Sequence, residues 1–214
     1  MSTPTVNRSP QRLLRLLWPV GLGLLLVAMA LDTKFLSPDE LSASSPAAFD
    51  AATSAADEFP KIAGEIEANA VELSEVAADP AAAGEKYGHE AGTDKHAIPV
   101  RFTGEVTEAD AEFVTLEVPG VPEGSVVRVA LGQAVNGTAL RAAPGTIAFS
   151  DFQNQTDYQQ FANELKKVAL EQVTGKVDAK SMTGSEVSAV GVYVTNTGPE
   201  DSFLITPVKI EAVS

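Results

Sequence analysis

The 214-residue chain contains no cysteine and only two histidines. Without a thiol there is no disulfide, no thiolate nucleophile and no cysteine-held metal or lipid. Imidazole is the usual proton carrier near neutral pH, yet His89 and His96 both fall in or beside a polar stretch, Gly84 to Lys95, that reads as a linker. Serine-hydrolase, P-loop and dinucleotide fingerprints are missing. Gly175-Lys176 is not followed by Ser or Thr, and a zinc-protease motif begun at His89-Glu90 would need histidine where Thr93 stands. The residues therefore point away from an enzyme and offer neither a cofactor nor a metal set. Basic residues are scarce as well, 15 against 29 acidic ones. Arg8, Arg12 and Arg15 precede the first acid, Asp32, so 12 basic residues face all 29 acids beyond it. Such a field repels nucleic acid, which is bound chiefly through Lys and Arg.

Between Arg15 and Asp32 runs "LLWPVGLGLLLVAMAL", sixteen uncharged residues. As a helix it would span about 24 Å, and Leu13, Leu14 and a snorkelling Arg15 nearly close the gap to a bilayer core of about 30 Å. Arginines on its N-terminal side alone place that end in the cytoplasm and the bulk of the chain outside a bacterial cell membrane, anchored by a single pass. The other reading is a cleaved signal peptide and a secreted product, because Ala28-Met29-Ala30 is an A-x-A cleavage pattern. Residues 1–31 are thus a tail with its anchor or leader. Residues 32–95 read as a helical stalk and linker. Ser45-Pro46 caps a first helix, Pro60 ends it and opens a second, and Asp79-Pro80 stops that one.

From residue 96 the period changes to two. Ile98, Val100, Phe102, Gly104 and Val106 alternate with polar or solvent-side positions, and Phe113 to Val118 and Val126 to Leu131 follow across turn-rich connections. A helix to about Val173 comes next, then two β-rich runs, "GSEVSAVGVYVTN" and "DSFLITPVKIEAV". Strand, strand, strand, helix, strand, strand over residues 96–214 is the order of an OB-like five-stranded barrel, an α+β fold with its helix between strands three and four. A two-layer α+β sandwich is the other arrangement of the same elements.

The usual ligand face of such a barrel is bounded by the loops after strands one and four. Here they carry Glu108, Asp110 and Glu112, and Glu200 and Asp201, which repel an oligonucleotide and lack the spacing of a calcium loop. In the amide-rich helix Thr156 and Gln159 fit a capping box, and Tyr158, Phe161, Ala162, Leu165, Val168 and Ala169 share a face that can plug the barrel. Gln153, Asn154 and Gln155 have no packing assignment, and their amides suit sugar hydroxyls or a partner's backbone. Arg141 adds a planar fork for a carboxylate, either Asp151 of the same domain or an anionic ligand.

The stretches "AADPAAAGEKYG", "GTALRAA", "IAFSDFQNQTDYQQFANEL" and "FLITPVKIE", in this order, resemble a bacterial family of predicted periplasmic lipoproteins of unknown function, from about Leu31 to Ile210. Members are often encoded beside sugar ABC transporters with periplasmic binding proteins. The resemblance thus implies a membrane-anchored accessory of solute uptake whose partners are a transporter component, a solute-binding protein or a sugar. The alternative is a structural envelope protein with no small ligand. The chain departs from the family twice: it lacks the lipobox cysteine, and Ala142 stands where relatives often carry an acid after the Arg141 position.

Overall fold

In the computed structural model, residues 22, 23, 25, 29 and 49–213 are described. The chain divides into two units, Met1–Ala48 and Phe49–Ser214. Of the first, Leu22, Gly23, Leu25 and Met29 are helical and exposed. The expected span Leu16–Leu31 and the Ser45-Pro46 cap otherwise lie outside the described residues. No helix among the described residues is long and apolar enough to cross a membrane.

The second unit is built on strands β3 (Lys95–Ala109), β4 (Phe113–Glu117), β5 (Val126–Ala130), β6 (Glu186–Val194) and β7 (Ser202–Ala212). They pair in the order β3-β4-β5-β7-β6, and β6 returns to β3, which closes a ring. Only the β5–β7 pairing in that ring is parallel. The length of β3 makes closure possible. Its residues 97–105 pair with β6 and residues 105–109 pair with β4, so Glu105 lies opposite both Glu117 and Glu186. A register shift between Val106 and Glu108 adds the local bend a long strand needs to serve two neighbours.

Alternation sorts the strands into two faces. Ile98, Val100, Phe102, Val106, Val114, Leu116, Val127, Val129, Val187, Ala189, Tyr193, Phe203 and Ile205 form one core cluster, the inner face of the ring. Ala97, Ala130, Val192, Val194 and Val208 face the other way, into a second cluster with the helices α1 (Ala51–Asn69), α4 (Gly137–Ala142) and α5 (Gln155–Gln172). The strand–strand–strand–helix–strand–strand order is thus observed. The plug is not: α5 lies against the outer face and packs on α1. Leu73 and Val76 of α2 (Leu73–Ala78) and Ala83 of α3 (Pro80–Tyr87) fill the inner cluster instead. A face carrying both Phe161 and polar neighbours suits a half-covered outer position better than a ring interior.

The segment before residue 96 also differs from a stalk and linker. Helix α1 runs through Pro60, whose ring is exposed, while Phe59, Ile62 and Ile66 around it are buried. One interior proline costs about 3 kcal/mol. Burying each of those three side chains returns about 1.5–3 kcal/mol, so packing wins. Helix α1 begins at Asp50, which accepts hydrogen bonds from the Thr53 amide at 3.1 Å and hydroxyl at 2.7 Å. Strand β1 (Val71–Glu72) runs parallel to β3, opposite Val100 and Arg101, and β2 (His89–Gly92) pairs antiparallel with residues 95–97. The supposed linker is therefore a helix end and a strand. One edge of β3 carries β2, β1 and β4 in succession while its other edge carries β6, so residues 49–95 belong to the same unit as the ring.

Candidate functional site

Helices α4 and α5 cross so closely that a Cβ at Gly137 would overlap the carbonyl oxygen of Ala162. The approach requires glycine. Asn136 starts α4 by accepting from the amides of Thr138 (3.0 Å) and Ala139 (3.2 Å). One turn later α4 points Arg141 at α5. The side chain is 7% exposed, its Nη1 donates to the carbonyl of Tyr158 at 2.6 Å, and its guanidinium carbon lies 3.4 Å from the centre of the Tyr158 ring. An aromatic cluster holds that ring: Tyr158 meets Phe149 and Phe152 edge-on at 5.5 and 5.2 Å, and Phe152 meets Phe49 and Phe161 at 5.4 Å each.

Arg141 has no ion pair among the described residues, and its Nε is buried with no hydrogen-bond partner. Burial pushes the guanidinium below the ordinary arginine value and Tyr158 beside it acts in the opposite direction. The group remains a cation at neutral pH. Asp151, the partner expected within the domain, is occupied elsewhere. Its Oδ2 accepts from the Ala148 amide at 2.8 Å, closing the 3-10 turn Phe149–Asp151.

A cleft of about 390 Å³ opens beside this arginine, lined by Thr138, Arg141, Gln155, Tyr158, Gln159 and Asn163. Apart from the guanidinium, the wall offers hydroxyls and carboxamides, which both donate and accept. The sequence-expected candidates separate. Arg141 and Gln155 come together in the cleft. Gln153 is exposed and outside it. Asn154 caps α5, its Oδ1 accepting from the Asp157 amide at 3.0 Å and its Nδ2 donating to the Asp157 carboxylate at 2.9 Å. The expected cap at Thr156 is thereby corrected by two residues. Thr138, Gln159 and Asn163 were not anticipated as site residues. The signal for Gln159 and Asn163 was the spacing, because Gln155, Gln159 and Asn163 recur every four residues and form a polar stripe along α5; Thr138 on α4 carried none.

Two other hollows are less convergent. The larger, about 910 Å³, lies under the loop from Val118 to Val126 and is edged by Glu105, Glu117, Glu123 and Glu186, with no buried polar side chain. A groove of about 450 Å³ runs between Phe49, Phe152, Phe161 and the carboxylates Asp57, Glu58 and Asp151. Of the acidic loops expected at the ligand face, the first is engaged in its own structure, while Glu200 and Asp201 of the second are exposed. Asp110 accepts from the amides of Glu112 and Phe113, both at 2.7 Å, and Glu112 Oε2 accepts from Gln133 N at 2.7 Å. Among the described residues no group of histidine and carboxylate side chains is placed to hold a metal.

Residues 22–211 match the model of a family described as predicted periplasmic lipoprotein (DUF2291). The chain belongs to this family. Family membership supports an extracytoplasmic, membrane-anchored protein, although a lipoprotein carries its lipid on cysteine and this chain has none. Its fold is similar to the crystal structure of an OB-fold protein from Thermotoga maritima, with a TM-score of 0.62 and 18% identity over 77% of this chain and 99% of that one. No curated protein matches the chain. At that identity the structural likeness speaks for the OB-like fold, in agreement with the closed strand ring.

Proposed function

We propose that this member of the periplasmic lipoprotein family is a non-enzymatic binding accessory of an ABC-type solute uptake system, held at the outer side of the cytoplasmic membrane by the N-terminal apolar stretch. The observation that carries the binding part is the polar cleft beside the buried Arg141, which has no ion pair among the described residues. Small-ligand sites are concave, with a few polar groups converging on one volume. This cleft of about 390 Å³ has that form, and its hydroxyl and amide wall suits a polyhydroxylated solute. The transporter part is supported by the family resemblance and by the strongly acidic surface, which favours partners with basic or neutral faces.

The test is affinity purification of the full chain from detergent-solubilised membranes of its own organism. A permease, ATPase or solute-binding component of an importer should be enriched, and the enrichment should persist when Gln153 is replaced, because that residue lies outside the cleft. Recovery of envelope structural proteins alone would replace this reading with that of a structural envelope protein.

A further inference from the structure

We propose that the Arg141 cleft receives the carboxylate of a small hydroxylated acid, such as a sugar acid, on the free side edge of the guanidinium. The inference deepens the solute-binding reading and rests on it. Arginine presents its N–H donors in a flat fork whose edges each match the two oxygens of a carboxylate. Nη1 is committed to the Tyr158 carbonyl, the single side-chain hydrogen bond of Arg141 among the described residues, which leaves the edge formed by Nε and Nη2. The Tyr158 ring at 3.4 Å fixes the plane of that edge before any ligand arrives.

Among the described residues no acid fills the edge. The Asp151 carboxylate accepts from the Ala148 amide, that of Asp157 from Asn154 Nδ2, and that of Glu164 pairs with Lys167. A buried charged donor without a partner is costly, and the cost is offset when a ligand brings the counter-charge. Around the arginine, Thr138, Gln155, Gln159 and Asn163 are neutral and can pair with the hydroxyls of the same molecule. Nε is closed to solvent, so the acid reaches it only once a neighbouring side chain turns aside. The net charge of −14 opposes an anion at long range. At physiological salt that field is screened beyond about 8 Å, and within that distance the guanidinium dominates.

The experiment is thermal unfolding and calorimetric titration of the full chain with D-glucuronate, succinate and D-glucose, repeated on Arg141→Met and Arg141→Lys. A carboxylate should raise the melting temperature of the wild type and glucose should bind at least about tenfold more weakly. Arg141→Met should abolish the carboxylate response while melting at or above the unliganded wild type, because it removes an unpaired buried charge. Arg141→Lys keeps the charge but loses the two-point edge, and should weaken binding about tenfold or more. If the methionine variant fails to fold, the lysine variant carries the comparison. Equal responses to glucose and glucuronate would overturn the acid while leaving solute binding intact. No carboxylate response in folded wild type, or a full response in either variant, would overturn the inference itself.

Discussion

The loop from Asp110 to Glu112 and the cleft at Arg141 treat charge in opposite ways. In the loop, Asp110 and Glu112 accept three backbone amides at 2.7 Å, so the negative charge is used to shape the chain. In the cleft a cation is stacked and buried, with no counter-ion among the described residues. OB-like folds ordinarily place ligands near the first of these regions. Here that region's polar groups are spent on local structure, whereas the α4–α5 crossing keeps one in reserve. A charge with all its partners is a building element; a charge denied them is where a ligand has something to add.

Removing what supports the cleft should have the largest effect. Phe161→Ala empties a buried site between Phe49, Phe152 and the outer core, and should cost about 3–5 kcal/mol in denaturant unfolding. Phe149, 52% exposed and touching Tyr158 edge-on, should lose only about 0.5–1.5 kcal/mol on conversion to Ala. Equal losses at the two positions would mean that the aromatic cluster is not graded from core to rim.

A smaller change tests the crossing. Gly137→Ala forces α4 away from the Ala162 carbonyl and should destabilise by about 1–3 kcal/mol. Any carboxylate response should fall with it. Asn154→Ala should cost about 1 kcal/mol through loss of the cap, while Thr156→Ala should stay within about 0.5 kcal/mol of wild type. The reverse order would return the helix start to Thr156.

The smallest effect belongs to the loop. Amide hydrogen bonds from Phe113 and Glu112 hold the Asp110 carboxyl below the ordinary carboxylate range. The stability this adds is complete at neutral pH and fades as pH falls through the lowered value. Asp110→Asn keeps an oxygen acceptor without the titration, so its acid unfolding curve should be slightly flatter than that of wild type and unchanged above the carboxylate range.

Much of the fold is written in local pattern. Strand β3 alternates strictly from Ile98 to Val106, and the turns that follow are rich in glycine and proline, so the strand order is legible without tertiary information. Pro60 misleads because a single missing hydrogen bond weighs less than the burial of Phe59, Ile62 and Ile66 around it, and that burial depends on α5, nearly a hundred residues away. His89 to Gly92 is polar because it pairs at an edge of β3, which needs backbone groups and few apolar side chains. Asn154 and Thr156 are both competent caps two residues apart, and the choice follows from where the preceding turn delivers the chain. For the cleft, Arg141 and Gln155 were legible as residues with unassigned polar groups. That Asp151 would turn to Ala148 rather than to Arg141 depends on the 3-10 turn between them, which no sequence period announces.

The Nε–H of Arg141, an ordered donor awaiting an acid, is observable directly by nuclear magnetic resonance of the full chain in detergent. Its closure to solvent should give a slowly exchanging arginine Nε–H signal that vanishes in Arg141→Lys. Adding D-glucuronate should move this signal downfield in both proton and nitrogen dimensions while D-glucose leaves it in place. A signal indifferent to every carboxylate, from a chain that nonetheless binds its solute, would show that Arg141 serves the α4–α5 crossing alone.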